Sequence, residues 1–374
     1  MSQRTFNPHL QRKAKLYHRS KGLINILQTA SVLVYLLLIY ISGLSGRVSH
    51  MTAHLRVAAA LLLYLAIFCI PVLLIFILSS NKEYIIEKRF GLSRQKRRGW
   101  WSDQLKAFAL GTVLGYPLLL LLFLLFSRAP RYWWVLGTCG FSLVQLLLSF
   151  LFPVLILPIF FTQTKLEDER LDEDIRRLFS GAGIAFKGIY SFNLSAKTRR
   201  ENALVTGIWK TRRVLIADTL LKKRTASQII VVLAHEVGHH IKRHMMKLLG
   251  VSLFGTGILF FTINSIMRLW DGFPADFEAT LALLPVFLLV AGAVSVPVMI
   301  GTNAYSRQKE LEADRASLDF TRDPDSFITV MAGLADSNLA LLHPNPVKVL
   351  LFFSHPPVGK RIELAKQYGA DILN

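Results

Sequence analysis

Six apolar runs constrain this chain more than any other feature in it. Leu23–Ile41, Val57–Leu78, Ala107–Phe126, Trp133–Phe161, Leu248–Met267 and Thr280–Ile300 are each long enough, as helices, to cross the hydrocarbon core of a bilayer. The fourth is interrupted by Pro153 and Pro158. Hydrophobic residues make up 52% of the 374, and the mean hydropathy is +0.42, well above a soluble domain. The expected fold class is mainly α, a polytopic integral membrane protein of about six transmembrane helices. A cleaved signal peptide competes for the first run, but that run can span a bilayer and is one of several, so an anchor that stays is expected.

The formal net charge is +20. In a soluble protein this would point to nucleic acid, but no nucleic-acid module is visible and the basic residues flank apolar runs, so the expected partner is a lipid bilayer. Residues 1–22 hold Arg4, Arg12, Lys13, Lys15, Arg19 and Lys21 without an acid, and 81–101 holds a further basic cluster from Lys82 to Arg98. The 268–279 loop instead sets Arg268 against Asp271, Asp276 and Glu278. The positive-inside rule then places both termini, 81–101 and 162–246 on the cytoplasmic face. A bacterial inner membrane is the preferred location, or the endoplasmic reticulum in a eukaryote. Cys69 and Cys139 sit inside apolar runs, far from metal-ligand spacing, and are expected as buried small hydrophobes.

The chemistry is carried by His235-Glu236-Val237-Gly238-His239. On a helix, residues four apart lie one above the other, so both imidazoles can aim at one zinc ion. Glu236 stands beside the first of them, placed to take a proton from water activated at the metal. Thr225-Ala226-Ser227-Gln228 reads as a capping box, with Ile229, Ile230, Val232 and Leu233 as the apolar body of the helix. A second pair, His240 and His244, is expected further along the same helix as an exposed or interfacial basic face.

The polar block around the motif organises the remainder. Residues 1–161 are expected to form an amino-terminal membrane region with four spans, and 162–374 a peptidase domain with two more. Leu166–Ala182, acids early and arginines late, reads as a surface helix. Ala203–Trp209 and Val214–Ala217 read as a strand pair. Its edge either receives an extended substrate as a further strand or only supports the motif helix. After the last span, Glu310 and Asp314 share one helix face, so that one can bind metal while the other accepts a hydrogen bond from a ligand histidine. Glu312 is expected on the opposite, solvated side.

Together these motifs resemble the M48 zinc metallopeptidases, whose third ligand is the glutamate of an E-x-x-x-D motif. Within that family the chain is similar to the CAAX prenyl protease 1 branch. The likeness extends to Tyr84-Ile85-Ile86-Glu87 with Phe90-Gly91-Leu92, to Asn202-Ala203 with Gly207, to Arg213 through Leu221, and to Ser354-His355-Pro356-Pro357 with Arg361. The resemblance implies a gluzincin-like zinc metalloprotease domain with a small β element and one Zn2+ per chain, held by His235, His239 and Glu310. It implies Glu236 as the base, Asp314 behind a ligand histidine, and His355 and Arg361 as stabilisers of the tetrahedral oxygen. Asn202 and Ala203 would line the substrate groove, and the site would open into a chamber walled by the spans. Eukaryotic members have seven spans, against six counted here.

The expected activity is that of an integral membrane zinc metalloendopeptidase acting on a peptide or protein, with prenylated and membrane-embedded chains both open as substrates. The first alternative is a membrane-protein quality-control protease of the heat-shock M48 type. A scaffold or transporter with a structural metal is disfavoured, because a structural zinc needs no general base.

Overall fold

The computed structural model describes residues 8–207, 212–269 and 276–373. Arg4, Asp271 and the end of the first expected strand, through Trp209, lie outside them. Among the described residues, six helices are long and apolar enough to cross a membrane: α1 (Pro8–Ile41), α3 (Val57–Arg89), α4 (Arg97–Arg128), α5 (Trp133–Leu151) continuing through a π-helical turn at Phe152–Ile156 into α6 (Leu157–Phe160), α10 (His244–Leu269) and α12 (Leu284–Thr321). Pro153 sits at the start of the π turn, where a helix that has lost a backbone donor relaxes its hydrogen-bond ladder. The short α2 (Leu44–Thr52) follows α1.

The six helices touch in the cyclic order α1, α3, α4, α5, α10, α12 and back to α1, so the ring closes. One end of it is packed solid. Leu36 and Ile39 of α1, Leu61, Tyr64 and Phe68 of α3, Leu122, Phe123 and Phe126 of α4, Trp133 of α5 and Phe260, Ile263 and Met267 of α10 form one buried cluster. Trp133 lies fully buried at its centre, 4.6 Å from the Phe126 ring, and its Nε1 donates to Asn264 Oδ1 at 2.9 Å. The other half is different. Across 18–35, 69–91, 101–121, 138–152, 245–254 and 287–308 no side chain is buried. In a filled bundle every helix buries an inward stripe. Here the inward stripes stay open, so this half of the ring is hollow; six cylinders about 10 Å across enclose a space about as wide as a seventh. Cys69 and Cys139 correct the expectation of burial: both are exposed, on spans whose outer faces meet lipid rather than protein.

The loops gather at two ends. At the packed end, Ser45 Oγ of α2 donates to the Ala282 carbonyl and Ser49 Oγ to that of Glu278, both at 2.6 Å, within or next to α11 (Phe277–Ala282). At the hollow end, α1 begins against the peptidase half: His18 contacts the Leu339 carbonyl at 3.0 Å, and Glu87 at the end of α3 is joined by Tyr17 at 2.5 Å and Arg200 at 2.8 Å.

Over this end sits a four-stranded sheet of β1 (Gln163–Lys165), β2 (Gly188–Phe192), β3 (Ala203–Thr206) and β4 (Arg213–Ala217), in the order β1-β2-β4-β3. Only β2 and β4 run parallel. The expected pair is β3 and β4, with Val205 opposite Val214; β1 and β2 were not foreseen. The surface helix is α7 (Glu169–Gly181), capped by Asp168, with Leu171, Ile175 and Phe179 turned inward. Its core is continuous with the sheet and with α9 (Ala226–Ile241), which follows the single turn α8 (Asp218–Leu221). Finally, α13 (Pro324–Asn338), α14 (Pro346–Phe352) and α15 (Val358–Leu373) pack around the carboxy-terminal end of α12.

Candidate active site

The motif helix α9 starts as its sequence dictates. Thr225 and Gln228 form a reciprocal capping box, and Ile229, Leu233 and Val237 anchor one face in the sheet core while Val231 packs on α13 and α15. That leaves His235 and His239 facing α12. Gly238 between them permits the approach, because a β-carbon there would stand 2.9 Å from Ala316 Cβ and 3.2 Å from the Ala313 backbone. The last turns of α12 thereby bring Glu310 under both rings.

His235 Nε2 lies 3.1 Å from His239 Nε2 and 3.4 Å from Glu310 Oε2, while His239 Nε2 lies 3.4 Å from the other oxygen, Oε1. Four ligands set tetrahedrally at about 2.05 Å from a zinc stand about 3.3 Å apart. The triangle of donor groups, two imidazole nitrogens and one carboxylate, is therefore of about that size, with one atom from each within 4.8 Å of the others, and its chemistry is that of a metal site. Glu310 Oε2 supports the same fit: it is buried without a hydrogen-bond partner among the described residues, a costly state for a carboxylate oxygen unless a cation meets it.

Behind the triangle, Asp314 is fully buried and its Oδ1 is 2.8 Å from His235 Nδ1. Arg361 of α15 clamps the same carboxylate through Nε at 2.7 Å and Nη2 at 2.5 Å, with Nη2 3.5 Å from His235 Nδ1. Burial works against a charged His235, but Asp314 and Glu310 outweigh it and raise its pKa to about 9. A metal bound at Nε2 must displace that proton. Burial also pushes the Glu236 carboxyl up, with His235 and His239 pulling it partly back. A carboxylate less acidic than usual is suited to accept a proton near neutrality.

His355 comes from the segment between α14 and α15. Its Nε2 lies 3.4 Å from Glu310 Oε1 and its Nδ1 2.9 Å from Ser354 Oγ, while most of its side chain faces solvent. His235, Glu236, His239, Glu310, Asp314, His355 and Arg361 thus meet at one place. Asn202 is exposed and its carbonyl accepts from the Ala217 amide at 2.9 Å, so the main-chain groups of Ala203 and Val205 turn to the opposite edge of β3. That edge runs along α9: the Val205 carbonyl is 3.3 Å from His240 Nε2, and the Val205 backbone also bonds the Glu236 carboxylate.

Three residues depart from expectation. His240 and His244 do not share a helix, because α9 ends at Ile241 and Arg243 takes a left-handed conformation at φ 52° before α10 begins. His244 is wholly buried rather than on an exposed or interfacial basic face, with Nδ1 3.1 Å from His239 Nδ1. Glu312 is not a solvated bystander: its carboxylate contacts His244 Nε2 at 3.1 Å and Lys309 Nζ at 2.5 Å. A histidine five residues after a ligand was the signal available for this arrangement.

Fold and site together define a membrane-embedded metallopeptidase. Residues 165–368 match the Peptidase family M48, and residues 2–162 match the CAAX prenyl protease N-terminal region, described as five membrane helices, of which four long apolar ones stand among the described residues here. The chain belongs to peptidase family M48. It is 31% identical to the uncharacterized metalloprotease YhfN of Bacillus subtilis, over 76% of this chain and 68% of that one. It is 26% identical to CAAX prenyl protease 1 homolog of Arabidopsis thaliana over the same shares, and 31% identical to CAAX prenyl protease 1 of Saccharomyces cerevisiae over 51% of this chain and 42% of that one. Its fold is that of S. mikatae Ste24p, with a TM-score of 0.85 at 23% identity, covering 97% of this chain and 90% of that chain. The protein is a multi-pass membrane metalloprotease of that family, similar to the proteins named CAAX prenyl protease 1.

Proposed function

We propose that the metal is a single zinc held by His235, His239 and Glu310, and that Glu236 is the general base for hydrolysis of a peptide bond beside it. The convergence of the two Nε2 atoms, 3.1 Å apart, on the Glu310 carboxylate, one oxygen 3.4 Å from each, carries this reading. When bound, a zinc ion polarises the scissile carbonyl and makes water acidic enough to attack at neutral pH. The residues do the rest. Glu236 takes the proton from the attacking water and returns it to the leaving amine. His355, on the open side of Glu310, and Arg361 offer donors to the oxygen on which charge develops. Asp314, clamped by Arg361, holds the Nδ1 side of His235.

The substrate lies extended beside the Asn202–Ala203 end of β3, on the edge turned away from β4, so that its scissile bond passes Glu236. Its membrane-proximal part has the hollow half of the helix ring to enter. A prenylated carboxy-terminal tail fits that arrangement, and the relatives named CAAX prenyl protease 1 support it. Residues 1–161 serve as the membrane region and 162–374 as the peptidase domain. Both termini and the site face the cytoplasm, a reading supported by the basic residues of the first helix and the 81–101 segment, whose contacts lie at the site's end of the bundle.

The test is elemental analysis of the purified protein with peptide cleavage assayed before and after chelation. One zinc per chain, with cleavage lost on chelation and restored by zinc, is expected. Absence of metal at saturating zinc would refute the site. Cleavage of a farnesylated peptide in preference to its unprenylated form supports the prenyl-protease substrate; equal cleavage favours quality control.

A further inference from the structure

The two zinc-binding histidines are not supported alike. The Nδ1 of His235 is met by a carboxylate directly, whereas the Nδ1 of His239 is met by another imidazole, 3.1 Å away on His244. That second ring is fully buried, and its far nitrogen is 3.1 Å from Glu312 Oε2. Between α9 and α10 the chain turns through Arg243 in the left-handed region, which costs a residue with a β-carbon about 1 kcal/mol or more. The turn places His244 beneath the last turn of α9 instead of on its outer face.

With His244 neutral, one assignment of protons satisfies all three side chains. Ionised Glu312 can only accept, so His244 Nε2 carries the hydrogen. A neutral ring then presents Nδ1 as an acceptor, so His239 Nδ1 must donate. That fixes the tautomer in which the lone pair of His239 Nε2 points to the Glu310 side, where it stands 3.4 Å from Glu310 Oε1. Lys309 Nζ, 2.5 Å from the other Glu312 oxygen, holds the carboxylate in its ionised form and in place.

We propose that His244 and Glu312 are positioning residues for the metal, a carboxylate–imidazole relay that holds His239 in its ligating tautomer and orientation. The proposal rests on His239 being a ligand. It also assigns Lys309 a part, as the cation that keeps Glu312 turned toward His244. His244 touches neither substrate nor metal, so the property it governs is how tightly the metal is held.

The experiment measures zinc affinity of the detergent-solubilised full chain by competition with a chelator of known strength, and the visible spectrum of the cobalt-substituted protein. His244→Leu keeps a buried side chain and deletes the acceptor; His244→Asn keeps an acceptor near Nδ1. Loss of a partner behind a ligand histidine weakens metal binding about 10–100-fold, so the Leu variant is expected in that range, with a changed cobalt spectrum, and the Asn variant is expected to recover most of the loss. Glu312→Ala, at a partly exposed position, is expected to weaken binding about tenfold, and it decides the matter if His244→Leu does not fold. Wild-type affinity in the Leu or Ala variants, or an Asn variant no better than Leu, overturns the relay. Wild-type protein that binds no zinc would instead overturn the ligand assignment beneath it.

Discussion

Gly238 and Ala316 set the distance between the two helices that share the metal. With a β-carbon on Gly238 only 2.9 Å from Ala316 Cβ, and 3.2 Å from the Ala313 carbonyl oxygen, neither of which can swing away, α12 would have to retreat. Glu310 would retreat with it. Gly238→Ala should therefore cost about 1–3 kcal/mol in overpacking and lower zinc occupancy at limiting metal. Gly238→Val should do more of both. Thermal unfolding in detergent and elemental analysis check this, and unchanged zinc occupancy in the Val variant would show that the contact does not position Glu310.

Glu236 separates binding of metal from turnover. It lies beside the ligands and supplies no ligand atom to the donor triangle. Glu236→Gln should keep zinc at one per chain and reduce kcat about 10²–10⁴-fold, the usual share of a general base. Wild-type kcat in that variant would remove Glu236 from the mechanism.

The parts legible in the sequence were those with short-range signals. Six apolar runs, the Thr225–Gln228 box and the i, i+4 spacings of His235/His239 and Glu310/Asp314 each encode their structure within a few residues. What was hidden depended on distant partners. Helical periodicity carried past Ile241 puts His244 on an exposed or interfacial face, and nothing local marks the left-handed Arg243 that breaks it. Glu312 was assigned to solvent from its position opposite Glu310, yet its partner comes from a different helix. β1 has no apolar alternation at all, only Gln163-Thr164-Lys165, and exists because β2 offers it an edge. The hollow of the helix ring follows from the family resemblance alone and not from the apolar pattern, since a lumen-facing and a lipid-facing residue can be equally apolar.

Arg361 joins two roles that one substitution can separate. Its Nε and Nη2 are both committed to Asp314, a bidentate fit that lysine cannot reproduce. Arg361→Lys retains the charge but leaves Asp314 underbonded. The expected loss is about 10²–10³-fold in kcat, the scale of one oxyanion donor, with a weaker fall in zinc affinity through His235. A variant that loses zinc affinity while keeping kcat at saturating zinc would confine Arg361 to the support of Asp314.

The last prediction concerns the anchor of the β3 edge. Glu201, just before that strand, has a side chain with no solvent exposure, bound by Arg224 at 2.5 Å, Lys223 at 3.2 Å and the Ser337 hydroxyl of α13. Burial alone would raise its pKa, but Arg224, Ser337 and Lys223 outweigh burial and lower it from 4.5. A carboxylate whose folded pKa lies below its unfolded one adds stability that is complete above the unfolded value and vanishes as pH falls through the folded one. The protein should therefore hold its melting temperature down to about pH 5 and lose it progressively below, as Glu201 protonates and releases Arg224. Glu201→Gln leaves Arg224 buried without its counter-charge, at a cost of about 3 kcal/mol, and should flatten that acid dependence. Because Thr219 Oγ1 also donates to the Arg200 carbonyl beside Glu201, the strand should loosen at its amino-terminal end, where substrate is held, raising KM before kcat. An acid profile identical in wild type and variant would mean that other carboxylates govern the transition and that Glu201 is only a packed end of the strand.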